Sequence, residues 1–468
     1  MAIVTPTPSV IPGPRAFPLL GWRASILKLY RDPFRYLRWL HDTYGDIASL
    51  AQGNPSYVCA FGPKLNFFLL SNPDLFEVSA GPFEKLPKNT ALVRVGANSL
   101  QLMKGEKHRL QRRLMQPAFH RQQVTRYLDE MATLTLRMLD SWQRRPQINL
   151  HREMELLTRS IVVKTLFGFD DEAEIDRVGT LLERMVSSLV PAMIAPINVP
   201  GAPYARTLRM AEQLETELHV MVARKRSQPD ANDLLTVLIQ AADEDGTKLS
   251  DEELVSHVFT LFSAGHATTS VALTWTIFLL GQHPRVWADL LDELQGTLHG
   301  NPPTIENLRH LRLLDSVIKE SLRLLPPGSI GQRNATAACE LEGYALPKGS
   351  TVIYSEFVTH RLPELYTEPD CFKPERWATL NRTVYEYLPF SAGQHRCIGA
   401  EYAIQEAKVA LAILLQRYRL EVVPNTRIEL DLAMRPKHGM PMRVFLQDRE
   451  IQHVPVRGAI HHLVTLAG

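Results

Sequence analysis

The chain has 468 residues, 45% of them hydrophobic and 22% charged, enough to bury a large core and ordinary for a soluble globular protein. Its 52 basic and 50 acidic side chains leave a net charge of +2, which gives no ground for a nucleic-acid partner or an acidic tail. Four scattered cysteines, Cys59, Cys339, Cys371 and Cys397, fit neither a CxxC zinc pattern nor a disulfide framework; they point to reduced thiols and a cytoplasmic setting.

In chain order, residues 1–20 carry Pro6, Pro8, Pro12, Pro14 and Pro18 without a basic stretch followed by an apolar one. They predict an extended arm, neither a signal peptide nor an anchor. An aromatic, amphipathic stretch near 32–42 predicts a helix. "DIASLAQGNPSYVCAFG" alternates about Gly53-Asn54-Pro55 as a β-hairpin does. From about 104 to 300 the periodicity is helical, with a polar connection at 226–235. "ELEGYALPKGSTVIYS" predicts short strands about Pro347-Lys348-Gly349, and "RPKHGMPMRVFL" a terminal hairpin. No linker separates domains. The expected architecture is mainly α with a small β portion: one domain over 21–450 and a tail over 451–468.

One helix stands out. Ser250 and Glu253 form a capping box, and Gly281 with Pro284 marks the end, so it runs some 45 Å. No Asp, Glu, Lys or Arg lies between Glu253 and Arg285, as in a membrane span. Ten Ser, Thr and His residues between Leu254 and Leu280 argue for a buried core helix instead.

Near the C-terminus, "LPFSAGQHRCIGAEYAIQEAKVA" sets Phe390, Gly393, His395, Cys397 and Gly399 before a helix predicted to begin near Ile398. A helix N-terminus lowers a thiol's pKa through its dipole and free N–H groups. Glycines at 393 and 399 let a flat cofactor approach the backbone. This F-x-x-G-x-[R/H]-x-C-x-G pattern resembles the haem-binding loop of the cytochrome P450 family. Glu320 and Arg323 in "KESLR" resemble its ExxR pair, and Arg376 in "FKPERW" the arginine completing that cluster. His108 and Arg112 resemble its [W/H]-x-x-x-R helix, and the long helix its distal helix. The resemblance covers about residues 10–447.

That resemblance implies a haem b whose iron takes Cys397 as axial thiolate. It implies haem contacts from Phe390, Gly393 and His395, and propionate partners in His108, Arg112, Arg333 and His395. It gives Glu320, Arg323 and Arg376 a structural role. It places the long helix across the distal face, with Ala264, Gly265 and Thr268 at the oxygen site. The family's usual [A/G]-G-x-[D/E]-T-[T/S] reads here Ala264, Gly265, His266, Ala267, Thr268, Thr269, so the acid of the acid–alcohol pair is missing. His266 is no replacement, being about 200° around the helix from Thr268. Protons then travel through water held by Thr268, with Thr269 a weaker contributor, or arrive with peroxide, or Ala267 is an introduced substitution.

The implied activity is a monooxygenase inserting one oxygen atom from O2 into a hydrophobic molecule: lipid, terpenoid, retinoid or steroid. The run "PPGSIGQR…GYALPKGSTVIYS…PERW" looks closest to the branch handling retinoids, sterols and long fatty chains. The competing readings are a peroxide-dependent oxygenase or haem isomerase, and a non-catalytic haem sensor or lipid-binding protein. By family analogy, residues 89–102 and 187–204 cap the pocket. Electrons are expected from a separate ferredoxin or flavodoxin with its reductase, docking near Lys104, Lys107, Arg109, Arg113 and Arg396. A monomer is expected.

Overall fold

The helical periodicity of the central chain becomes a stack of helices around the long one. The computed structural model describes residues 10–18, 21–79, 86–194, 196–229, 233–242 and 245–466. The long helix spans Asp251–Gly281. At its start Glu253 N–H donates to Ser250 Oγ (3.2 Å) and Ser250 N–H to Glu253 Oε2 (3.1 Å). Helices Ala91–Ala97, Leu150–Phe167, Pro203–Arg226, Arg312–Leu324 and Ala400–Arg417 all pack against it. Its apolar flanks are therefore core. No helix among the described residues is long and apolar enough to cross a membrane.

Burial along the long helix is uneven. Residues 254–259 are buried, as are 269–271 and 273–281. Between them one side opens: Ala264 and Thr268 are exposed, and Thr260, Leu261, Ser263, Gly265 and Ala267 are half-buried. Phe262 and His266, on the back, stay buried. A helix passing through the middle of a protein thus carries a one-sided window.

A five-stranded sheet flanks this body, in the spatial order Ile47–Ser49, Tyr57–Ala60, Thr351–Tyr354, Gly331–Ala335, Phe76–Val78. Its first two strands are the hairpin read from the sequence, Ile47 opposite Ala60. Gly331–Ala335 has no β-branched residue to announce it. Pairing on both edges makes it a strand, and Gly331 is required because a Cβ there would lie 2.1 Å from Tyr354 Cζ. This strand carries Arg333. The expected terminal hairpin differs. Pro441–Leu446 pairs with Tyr418–Val422 and Gln147–Asn149. The residues before it form a turn in which Asp431 accepts from Ala433 N–H and Arg435 N–H, both at 2.9 Å.

Residues 10–18 of the arm lie along Ser49–Gly53: the carbonyls of Pro12, Ile11 and Pro14 accept from Ser49, Gly53 and Gln52. The rest of the 1–20 arm lies outside the described residues. At the other end, residues 451–466 keep packing against the body. Ile428 N–H donates to Arg457 O and Thr465 N–H to Asp370 O, while Ile460, Leu463 and Val464 are buried.

Candidate active site

The cysteine loop is closed by one backbone bond, Cys397 N–H to Phe390 O at 2.8 Å. Gly393 has φ 68, and a Cβ on it would fall 2.0 Å from Leu70 O. The neighbouring backbone therefore demands glycine at this position on its own account. Gly399 precedes the helix Ala400–Arg417, which begins three residues past the cysteine. Cys397 reaches a depression of about 330 Å³ lined by Arg112, Phe119, Phe390, Arg396 and Ile404. Burial pushes its thiol pKa up, and the Gly399 N–H, Arg112 and Arg396 draw it back only in part. The Gly399 N–H and the two arginines are the groups that favour the thiolate here. Metal binding removes that proton.

His108, Arg112, Arg333 and His395 come together beside this loop. The rings of His108 and His395 are 4.0 Å apart and inclined by 31°. Burial, then the nearby arginines, lowers His108 to about 4; burial, then His108, Arg333 and Arg112, lowers His395 to about 3. His108 Nδ1 is buried without a hydrogen-bond partner. Arg333 is buried, lies over the Tyr354 ring at 5.4 Å, donates to Gln332 O (2.9 Å) and engages the Tyr354 hydroxyl. No carboxylate within salt-bridge reach of Arg112 or Arg333 is found among the described residues. Arginines withdrawn from solvent without a carboxylate partner call for an anion.

Glu320 and Arg323, both fully buried, form a two-pronged pair: Arg323 Nε to Oε2 at 2.9 Å and Nη2 to Oε1 at 2.8 Å. Arg376 Nε donates to Glu320 Oε1 at 3.0 Å. Burial opposes ionisation of Glu320, but its hydrogen bonds and charges win and hold its pKa below the usual glutamate value. Arg323 also donates to the carbonyls of His360, Pro369 and Cys371.

Sequence reasoning missed several members of this frame. Trp377 Nε1 donates to Glu320 Oε2 at 2.9 Å. His360, lowered to about 3 chiefly by burial, donates from Nδ1 to Arg323 O and accepts Leu388 N–H at Nε2. It thus joins the triad to the segment entering the cysteine loop. Burial pushes the carboxyl of Glu356 up to about 8 and that of Glu406, both of whose oxygens are buried and unpartnered, well above the usual glutamate value. Only the charge of Glu406 inside an apolar helix run signalled any of these.

On the long helix, Thr268 Oγ1 donates to Ala264 O at 2.7 Å, the back-bond common to helical hydroxyls. Both residues face the window. Gly265 serves packing: a Cβ on it would point at Val162 Cγ2, 3.3 Å away. His266 is turned away, donating from Nδ1 to Phe262 O at 3.0 Å. Thr269 Oγ1 is buried without a partner. Of the predicted docking cations, Lys104 pairs with Glu77, Lys107 with Glu253, and Arg109 with Glu106 and Asp74. Of the pocket-capping stretches, the side chains at 97, 190, 191 and 193–195 lie outside the described residues.

The residues fit a haem. Among the described residues no group of three or more His, Cys, Asp or Glu could hold a metal ion. Cys397 offers a single thiolate ligand, and the arginines near it, Arg112, Arg333 and Arg396, suit the carboxylates of a haem.

Comparison with known proteins agrees. The sequence profile described as "Cytochrome P450" matches residues 11–442. The chain is 34% identical over 427 residues to cyclooctat-9-en-7-ol 5-monooxygenase of Streptomyces melanosporofaciens, covering 89% of this chain and 90% of that protein. It is 30% identical to pentalenene oxygenase of Streptomyces avermitilis, covering 93% and 97%. The solved structure of retinoic acid-bound cyanobacterial CYP120A1 superposes with a TM-score of 0.80 at 25% identity, over 94% of this chain and all of that one. This chain belongs to the cytochrome P450 family, and it is an oxidoreductase of the monooxygenase type.

Proposed function

We propose that the protein inserts one oxygen atom from O2 into a terpenoid-type hydrophobic substrate, using electrons from a separate donor. The window in the long helix carries this reading: a polar edge at Thr268, set among Leu261, Ala264 and Ala267, opening inside the core. A haem b bound through Cys397 supplies the redox-active iron at which O2 is reduced, with the thiolate favouring O–O cleavage.

The chain's own residues do the rest. His108, Arg112, Arg333 and His395 hold the propionates. The triad and His360 fix the loop that presents Cys397. Ala264 leaves room above the macrocycle. Thr268 keeps its proton on Ala264 O and accepts a hydrogen bond from water at its lone pairs. Without an acid at 267, water in the window delivers protons, so delivery is slow. The relatives' names, cyclooctat-9-en-7-ol 5-monooxygenase and pentalenene oxygenase, support a terpenoid over a steroid or fatty chain. The donor is an acidic ferredoxin or flavodoxin approaching Arg396, exposed beside the cysteine.

The test is twofold. The reduced, carbon-monoxide-bound protein should show the thiolate-ligated band; an imidazole-type band would refute ligation by Cys397. Ala267→Glu should raise product per reducing equivalent, because a positioned acid speeds a proton-transfer step by about 10²–10⁴-fold and so favours the productive path over the uncoupled one. Equal coupling in both proteins would remove the slow-delivery argument.

A further inference from the structure

The window is not uniformly apolar. Thr260 and Ser263, both half-buried, stand on its N-terminal part, and Ala267 lies between them in angle around the helix. Along the axis, Ser263 lies about 7.5 Å and Thr260 about 12 Å from Thr268. They are therefore too far away to act where Thr268 acts.

Their protons are already committed. Thr260 Oγ1 donates to Ser256 O at 2.9 Å, and Ser263 Oγ to Phe259 O at 2.9 Å and Thr260 O at 3.1 Å. A hydroxyl held this way presents lone pairs, so it accepts. Turning it to donate outward would give up a backbone bond. One turn further back on the same edge, Ser256 Oγ is fully buried with no partner at all. No ionised side chain stands on the helix from Leu254 to Gly281 to overwhelm these weak acceptors.

We infer that Thr260 and Ser263 form an acceptor site for a substrate hydroxyl. The substrate is thus an apolar skeleton that already carries an alcohol, oriented so that a different, remote carbon is oxidised near Ala264 and Thr268. The reaction that supplies it must leave an alcohol on the skeleton, by water capture of a carbocation or by an earlier hydroxylation. The product carries two oxygens. This rests on the monooxygenase reading above.

Three probes of one skeleton separate the possibilities: cedrol, which donates; cedryl methyl ether, which keeps the oxygen but cannot donate; and cedrane, which has no oxygen. Their dissociation constants are read from the ligand-induced spectral shift in the haem-loaded protein. Cedrol should bind about tenfold more tightly than either, the worth of one well-placed hydrogen bond. In Thr260→Val/Ser263→Ala, a change that keeps volume nearly constant, cedrol should lose that advantage while cedrane binds as before. Equal affinities for the three probes, no binding of any, or a preference that survives the double substitution would each overturn the inference. The carbon monoxide band of the same samples keeps the two levels apart: a non-thiolate band defeats the reading of the site, whereas a thiolate band without an alcohol preference defeats only the acceptor site.

Discussion

Glu320 receives five hydrogen bonds, from Arg323 Nε and Nη2, Lys373 N–H, Arg376 Nε and Trp377 Nε1, and none of its capacity is left to solvent. Around the window the hydroxyls of Thr260, Ser263 and Thr268 bond only back to their own helix. Thr268 has a single bond back to its own helix, while Thr269 Oγ1, Ser256 Oγ and His257 Nδ1 are buried with no partner. The Glu320 cluster is a closed network, in which a buried charge is tolerable only because its partners are in place, whereas beside Cys397 itself His108 Nδ1 is left open. The window side is a packed helix whose one open face offers lone pairs and small side chains. Ligand geometry is fixed on the first side; substrate and water are accommodated on the second. Substitutions on the two sides should therefore act on different quantities.

The largest effect belongs to the network. Glu320→Gln removes the only anion between Arg323 and Arg376 and leaves a fully buried guanidinium uncompensated. It should cost about 3–5 kcal/mol, with haem content falling in parallel and the remaining pigment losing the thiolate-type carbon monoxide band. Urea unfolding and that spectrum measure the two effects. If stability falls while the thiolate band of the retained haem is unchanged, the network does not position the cysteine loop.

Next comes the C-terminal segment, beyond the family match that ends at residue 442. Arg361, buried and lowered to about 9 chiefly by burial, donates to Leu463 O at 2.8 Å, to Leu324 O at 2.6 Å and to Asp370 at 3.1 Å. Arg38 grips the same Asp370 with two bonds. Thr465 forms a parallel bridge to Cys371, whose carbonyl accepts from Arg323. The last residues thus buttress the strand of carbonyls that holds the triad. Leu463→Ala should cost about 2–4 kcal/mol and speed conversion of the thiolate band to the inactive form in mild urea. Conversion at the unmodified rate would make the segment mere cover.

How much of this was legible depends on whether a residue's role is local. The capping box at Ser250, the hairpin about Gly53 and the pairing of Glu320 with Arg323 are short-range, and their spacings state them. The family pattern supplied Cys397 and its neighbours. The resemblance names Arg333 but not its strand, because GQRNA becomes a strand through neighbours distant in sequence. His360, Trp377 and Arg361 are ordinary in composition; their roles exist only through carbonyls and carboxylates brought from elsewhere.

The smallest effect is expected at Gly265, where the contrast between the two sides is sharpest. The sequence places this glycine at the oxygen site, whereas in the fold a Cβ would point at Val162, away from the window. Gly265→Ala should gain about 1 kcal/mol of helix propensity. The 3.3 Å approach to Val162 Cγ2 must relax by a few tenths of an ångström, which returns part of that gain. The net change in stability should stay within about 1 kcal/mol of zero, and carbon monoxide affinity should be unaltered, because no atom has entered the space above Ala264 and Thr268. Unchanged affinity would assign Gly265 to helix packing and leave the oxygen site to Ala264 and Thr268 alone. A weakened affinity would mean that the helix flexes at Gly265 when a diatomic ligand binds, making the window side the more mobile half of the site.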